Sequence, residues 1–326
     1  MISSRNNFQF KSWTLERTNS YTKSREGEVK IGEELGVLND SKYVILGIKE
    51  SIGPEANLGN PGAENGFDAF CSKFFNLQSN RFLNGSDIAF LGEVSVTNVF
   101  HEPEYRLAVE ELDAFVTKVL TDHLRSDQIP IVIGGGHNNA YPIIQFVSEI
   151  YKNKINVVNL DAHADYRKLE GRHSGNPFSY AYKDGFIETY RIIGLHQSYN
   201  SEENLKRLKN DGHEYVFMED FLDGTTNWLN CINQTKEVVL YENRPTGIEL
   251  DLDVIQMMPS SASSPFGCDL NQARQYIRVL AQLKCVKYLH LPEGAPCNDN
   301  EVNQIGKTLA LLVADFVSAN KNKAYN

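Results

Sequence analysis

An α/β fold with a mainly parallel, doubly wound sheet is predicted, on three observations. Short apolar runs recur along the chain with no polar face of their own. Amphipathic stretches of helical period separate them. Polar clusters follow several of the runs directly. Strands that are apolar on both faces need cover on both sides, which a parallel sheet with crossover helices supplies. Right-handed crossovers then wind the sheet in both directions. In such sheets ligands bind outside the carboxyl ends of the strands, so chemistry is expected just after the apolar runs.

In chain order, Tyr43-Val-Ile-Leu-Gly-Ile and Asp87-Ile-Ala-Phe-Leu-Gly read as buried strands. A helix is expected over 104–125, with Leu107, Leu112, Val116, Val119 and Leu120 on its apolar face. Pro130-Ile-Val-Ile-Gly is a strand, followed by a helix over 140–151. Ile155-Asn-Val-Val-Asn-Leu, Arg191-Ile-Ile-Gly-Leu, Gly247-Ile-Glu-Leu-Asp-Leu-Asp and Val286-Lys-Tyr-Leu-His-Leu are further strands. Helices over 270–283 and 302–318 bracket the last of them.

No repeat, long linker or low-complexity tract divides the 326 residues, and one domain over 1–326 is expected. A 41% hydrophobic and 23% charged composition provides for a sizeable core and excludes a disordered chain. With 32 basic and 42 acidic residues the net charge is −10, which argues against a nucleic-acid partner but not against a small acidic substrate. The apolar run Leu309-Ala-Leu-Leu-Val-Ala is cut by Asp315 and too short to span a membrane. Met1-Ile-Ser-Ser-Arg-Asn-Asn lacks a signal core. Cys71, Cys231, Cys268, Cys285 and Cys297 are scattered and odd in number. Together these features fit a reducing cytoplasm.

Three polar clusters obey the strand-end rule. Gly134-Gly-Gly-His137 follows Ile131-Val-Ile, and its glycines allow a tight turn and close backbone approach. Asp161-Ala-His163-Ala-Asp165 follows Val157-Val-Asn-Leu; in extended chain its three metal-capable side chains share one face. Glu249-Leu-Asp251-Leu-Asp253 repeats that period with leucines opposite. Two carboxylates about 4 Å apart repel by roughly 4 kcal/mol at an effective dielectric near 20, and a cation relieves this. Asp161, Asp165, Asp251 and Asp253 bring four negative charges, which two divalent cations match. Carboxylates and imidazoles without thiols suit Mn²⁺ first, then Fe²⁺, Co²⁺ or Zn²⁺. A two-metal site polarises a substrate and makes hydroxide near neutral pH, so metal-assisted hydrolysis is expected.

These motifs resemble, in order, the three metal motifs of the ureohydrolase family of arginases, agmatinases and formimidoylglutamases. The resemblance runs from Asn60-Pro-Gly-Ala, like the family's R-P-G-A, to the final helix. It implies a three-layer α/β/α, arginase-like fold and a centre of two Mn²⁺, other divalent metals being alternatives. By that resemblance His137, Asp161, Asp165 and Asp251 hold one ion, and Asp161, His163, Asp251 and Asp253 the other, with Asp161 and Asp251 bridging. Glu293, in Leu291-Pro-Glu-Gly-Ala-Pro, matches a family glutamate that contacts the amidine nitrogen. His173 falls in a loop where arginases carry a proton-shuttling histidine, offset by about one residue; both are expected as catalytic groups.

Asp165-Tyr-Arg167 has the D-x-R of formimidoylglutamases, and Ser174-Gly-Asn176-Pro-Phe178 resembles their S-G-T-P-F segment. An arginine grips a carboxylate bidentately and opposes a cationic substrate. Arg167, Asn176 and His196, the last after a strand, are therefore expected at the substrate. The expected reaction converts N-formimidoyl-L-glutamate to L-glutamate and formamide, a step of histidine breakdown. Arginase, agmatinase, another guanidine hydrolase and a metal-binding member without catalysis are the alternatives. A two-metal phosphoesterase ranks low, because no phosphate clamp accompanies the clusters. The family implies a homo-oligomer and a small amidine or guanidine as the only other partner. Glu249, Gln256 and Met257 depart from the family's S-x-D-x-D-x-x-D-P, and His290 reads as a core histidine.

Overall fold

The computed structural model describes residues 7–321. Among them nine strands form one sheet: β1 (Phe8–Ser12), β2 (Tyr43–Lys49), β3 (Ile88–Val96), β4 (Ile129–Ile133), β5 (Ile155–Leu160), β6 (Ile187–Leu195), β7 (Glu214–Phe217), β8 (Thr246–Leu250) and β9 (Val286–Leu291). Their order is β1-β3-β2-β4-β9-β8-β5-β6-β7. β1 runs antiparallel to β3, and the other pairs are parallel.

Strand period two explains the layering. In β2, Tyr43 and Ile45 enter one core while Val44, Leu46 and Ile48 enter the other. The first core is closed by the helices Gly66–Phe74, Trp228–Glu242, Leu270–Leu280 and Asp299–Lys321. The second is closed by Tyr105–His123, Ala140–Tyr151, Pro177–Lys183 and Glu202–Asn210. The result is a three-layer α/β/α arrangement on a mainly parallel sheet. Each fully buried Ile, Leu or Phe in these cores contributes about 1.5–3 kcal/mol.

Some elements differ from expectation. β1 and β7 were not anticipated: β1 lies at a sheet edge with Phe8 its one buried residue, and β7 has four residues, none fully buried. The helix Trp228–Glu242 is also new; Asn, Gln and Thr dilute its apolar stripe, and Asn227 caps it through the N–H groups of Leu229 and Asn230. Leu107 is not on the buried face of its helix. It is 65% exposed, and the buried stripe runs through Ala108, Val109, Leu112, Val116, Val119 and Leu120. Among the described residues no helix is long and apolar enough to cross a membrane. Residues 1–6, on which the signal-segment reading rests, lie outside the described residues.

Candidate metal centre

β4, β9, β8 and β5 are neighbours in the sheet, and the carboxyl end of each leads into a polar loop. After β4, Gly134 and Gly135 adopt φ of 85° and 71°, a left-handed conformation that a side chain would strain. A Cβ on Gly135 would also lie 2.7 Å from Asn139 Nδ2 and 3.0 Å from Glu50 Oε1. Buried Glu50, just past β2, accepts from the Gly136 N–H at 2.7 Å and from Asn139 Nδ2 at 2.6 Å. This packing delivers His137, fully buried, to a single 3₁₀ turn that opens the helix Ala140–Tyr151.

Neither of the other two motifs is extended throughout, contrary to the period-two reading. β5 ends at Leu160; Asp161 Oδ1 accepts from the His163 N–H at 2.7 Å, and Asp165 has φ 44°. β8 ends at Leu250; Asp251 Oδ1 accepts from the Asp253 N–H at 2.8 Å and caps the turn Leu252–Val254. The Asp161 and Asp251 N–H groups still donate to Ile193 O and Leu160 O, while their carboxylates close local turns.

The six side chains converge all the same. His137 Nδ1 lies 2.9 Å from Asp165 Oδ2, 3.0 Å from Asp251 Oδ2 and 3.2 Å from Asp161 Oδ2. His163 Nδ1 lies 2.9 Å from Asp253 Oδ2 and 3.8 Å from Asp161 Oδ1. Within each set, His137–Asp161–Asp165–Asp251 and Asp161–His163–Asp253, the ligand atoms lie within 4.8 Å of one another. Asp161 belongs to both sets. Asp251 is grouped with the first set, and its Oδ1 accepts from the Asp253 N–H.

The donor chemistry fits two divalent cations. His137 Nδ1 and Asp253 Oδ1 are buried without a hydrogen-bond partner. Burial, and then the neighbouring carboxylates, lift Asp165 and Asp251 above the usual carboxylate range and Asp253 to about 6. Burial opposes charge on His137 and His163, yet the surrounding carboxylates push both well above the usual histidine range. The cluster needs positive charge, and oxygen and imidazole donors without thiolate suit hard or borderline ions.

A cavity of about 510 Å³ opens above this floor, lined by His163, Asp165, Asp251, Asp253 and Glu293 at its base. Buried Glu293 accepts from the His137 N–H at 2.8 Å through Oε1 and from the Ser261 hydroxyl through Oε2. Burial and the nearby Asp251 lift its carboxyl to about 8. Its φ of 69° is left-handed, a strain of about 1–3 kcal/mol that the surrounding contacts hold in place. At the rim stand Arg167, Lys168 and Glu170 with Asn57, Tyr199 and Asn200. Glu170 lies 3.4 Å from Arg167 Nη2 and 3.6 Å from Lys168 Nζ.

Three residues expected as catalytic or substrate-binding groups do not line the cavity. Asn176 Oδ1 accepts from Arg172 Nη1 at 2.7 Å and from the His173 N–H at 3.0 Å, while Nδ2 donates to Gly171 O at 2.8 Å. Asn176 is thus spent on its own loop. His196 is buried with its ring stacked on Tyr199, 4.8 Å away. His173 is buried; its Nδ1 accepts the Gly175 N–H at 3.1 Å and its Nε2 faces Glu170 Oε1 at 3.4 Å. Burial, with Arg167 and Arg106 nearby, pushes it down to about 4, so the ring is neutral. The sequence does not place Asn57, Lys168, Glu170, Tyr199, Asn200 or Ser261 at the cavity; Glu170 is expected only as a surface partner of Arg167, a pair the structure contains. Of these, Lys168 and Glu170 adjoin Arg167, and Tyr199 and Asn200 lie in the loop that His196 opens; the strand-end rule gives no signal for Asn57.

Two fused His/Asp clusters at the carboxyl ends of β4, β8 and β5, beneath a polar cavity, define a metal-dependent hydrolase. The chain belongs to the arginase family, which residues 41–318 match. It is similar to the formimidoylglutamase of Staphylococcus aureus (strain JH9), 27% identical over 316 residues, or 94% of this chain and 97% of that one. Its structure resembles formimidoylglutamase from Bacillus subtilis subsp. subtilis str. 168, with a TM-score of 0.78 at 17% identity over 93% of this chain and 96% of that one. It also resembles Trypanosoma cruzi formiminoglutamase with Mn²⁺₂, with a TM-score of 0.72 at 18% identity over 90% and 98% of the two chains. At these identities the structural likenesses speak to the fold.

Proposed function

We propose that the chain is a binuclear-manganese formimidoylglutamase that converts N-formimidoyl-L-glutamate and water to L-glutamate and formamide. The observation that carries this reading is a metal-ligand floor in one cavity with a rim of Arg167 and Lys168. Relatives named formimidoylglutamase, and a solved formiminoglutamase with Mn²⁺₂, support it.

His137, Asp161, Asp165 and Asp251 would hold one ion, and Asp161, His163 and Asp253 the other. Two divalent cations held there would supply Lewis acidity and lower the pKa of a water toward neutrality. The residues of the chain do the rest. Arg167 and Lys168 grip the carboxylates of the substrate at the rim and exclude a cationic tail. That grip directs the formimidoyl end to the floor. Glu293, fixed by Ser261 and the His137 N–H, faces the formimidoyl nitrogen and accepts its N–H. The C–N bond to glutamate breaks, its nitrogen leaves as the amine after taking a proton, and formamide keeps the water oxygen. Glu293 is the acid–base group at the cavity, and His173 stays behind Glu170. The same reading takes the whole chain as one catalytic domain that acts in histidine breakdown in the cytoplasm.

The test is hydrolysis of N-formimidoyl-L-glutamate, L-arginine and agmatine in parallel, with Mn²⁺-loaded and chelated protein. Metal-dependent turnover of N-formimidoyl-L-glutamate alone is expected. Turnover of L-arginine or agmatine in its place would overturn the substrate reading.

A further inference from the structure

A second buried polar group, unused by the hydrolysis scheme, stands behind His137 on the side of the ring opposite Nδ1. It consists of Glu249 on β8 with Tyr288 and His290 on the adjacent β9, Glu249 and His290 being register partners. All three are fully buried. The Tyr288 hydroxyl donates to Glu249 Oε1 at 2.7 Å, and His290 Nδ1 lies 2.6 Å from Glu249 Oε2. Gly247 makes the room: a Cβ there would meet the Tyr288 ring at 2.1 Å.

An ionised carboxylate in the middle of a sheet is costly unless its lone pairs are used. Tyr288 and His290 use two of them. His137 Nε2 lies 3.4 Å from Glu249 Oε2, within charge attraction but out of line for a hydrogen bond, and it has no other hydrogen-bond partner. A small tilt of the ring closes that contact. Phe178, edge-on to the ring at 5.2 Å, and His290 at 5.8 Å bound the tilt. With a carboxylate beside Nε2 the proton of the neutral ring belongs there. The lone pair is then on Nδ1, which faces Asp161, Asp165 and Asp251. Metal-bound histidines typically owe their tautomer and basicity to such a carboxylate. The family pattern has serine at this position, so the full negative charge is a feature of this chain.

We infer that Glu249 is a positioning residue: through Nε2 it orients His137 and fixes its tautomer, presenting Nδ1 to the ion of the His137–Asp161–Asp165–Asp251 set. The inference rests on the metal reading above and is independent of the substrate.

The test titrates Mn²⁺ into metal-free wild-type and Glu249→Gln proteins, read by calorimetry and by electron paramagnetic resonance. Wild type is expected to bind two ions and give an exchange-coupled pair signal. In Glu249→Gln the His137 site is expected to weaken about 10–100-fold, with the Asp161–His163–Asp253 site unchanged. One equivalent of Mn²⁺ would then give the uncoupled mononuclear spectrum. Tyr288→Phe removes a neutral donor but keeps the charge, so it should lower Tm and leave both affinities alone. A folded Glu249→Gln protein that binds both ions as wild type does would overturn the inference, as would equal weakening of both sites. Should Glu249→Gln not fold, Glu249→Asp carries the test, because it keeps the charge but withdraws it from Nε2; the same site-selective loss is expected, and its absence is equally decisive. A wild-type protein that binds fewer than two ions fails the metal reading itself, before any variant is compared.

Discussion

Arg167 reaches the cavity rim with 51% of its side chain in solvent, and that exposure limits what its charge can contribute. Arg167→Ala is expected to raise KM for N-formimidoyl-L-glutamate about tenfold, the lower end for a charged hydrogen bond because water screens it. Its kcat should hardly change. Glu170 faces both Arg167 and Lys168 and competes with an acidic substrate for them. Glu170→Gln should therefore lower KM, and steady-state kinetics on both variants settle the matter: unchanged KM in each would mean that the rim does not read carboxylates. At this scale the metal ligands were legible, because few residue types bind a divalent ion and the strand ends say where to look. Asn176, His173 and His196 were not, because their partners lie within their own loops, and loop spacing does not say which way a side chain turns. Arg172, for example, turns Asn176 inward, and nothing in the local sequence shows that it will.

Arg172 also joins elements. Its Nε donates to Asp113 Oδ2 at 2.8 Å and its Nη2 to Asn138 O at 3.1 Å, tying the helix Tyr105–His123 to the His137 turn. Both ends of the pair are buried. Asp113→Ala leaves the buried Arg172 without its counter-charge and is expected to cost about 3–5 kcal/mol, measured by denaturant unfolding. A second element-scale prediction concerns β7 and the residue before it. His213 is buried among Tyr166, Tyr182 and Tyr190. Tyr166 donates to Asp211 and meets His213 Nε2 at 3.1 Å, while the Tyr190 N–H donates to His213 Nδ1 at 3.4 Å. The ring is therefore neutral, and burial pushes it down to about 4. Because the unfolded chain takes up the proton near pH 6.5 and the folded one only near 4, this contribution is present above pH 6.5 and is lost as pH falls towards 4. It amounts to at most about 3 kcal/mol. His213→Gln should flatten the fall of Tm across that window relative to wild type; parallel curves would refute the assignment. The central strands of the sheet were legible in the sequence because they are apolar on both faces. β1 and β7 were missed because an edge strand needs only half of that signal.

For the whole molecule, ions that bind only the folded state add stability by mass action, about 2.7 kcal/mol each at a hundredfold excess over Kd. Chelation is expected to lower Tm by about 5–10 °C in a chain of this size, and differential scanning calorimetry with and without chelator reads it directly. An unmoved Tm would mean that the clusters hold no metal. The strand order has a consequence for how the site comes into being. β9 is the last strand along the described chain, yet it sits mid-sheet between β4 and β8. It is a keystone: until it is seated, β1-β3-β2-β4 and β8-β5-β6-β7 are two half-sheets, each with a raw inner edge. His137 belongs to one half and all four aspartate ligands to the other. The His137 half of the centre therefore cannot come together with the aspartates before β9 is in place. Ion loading at that site waits until β9 is seated between β4 and β8.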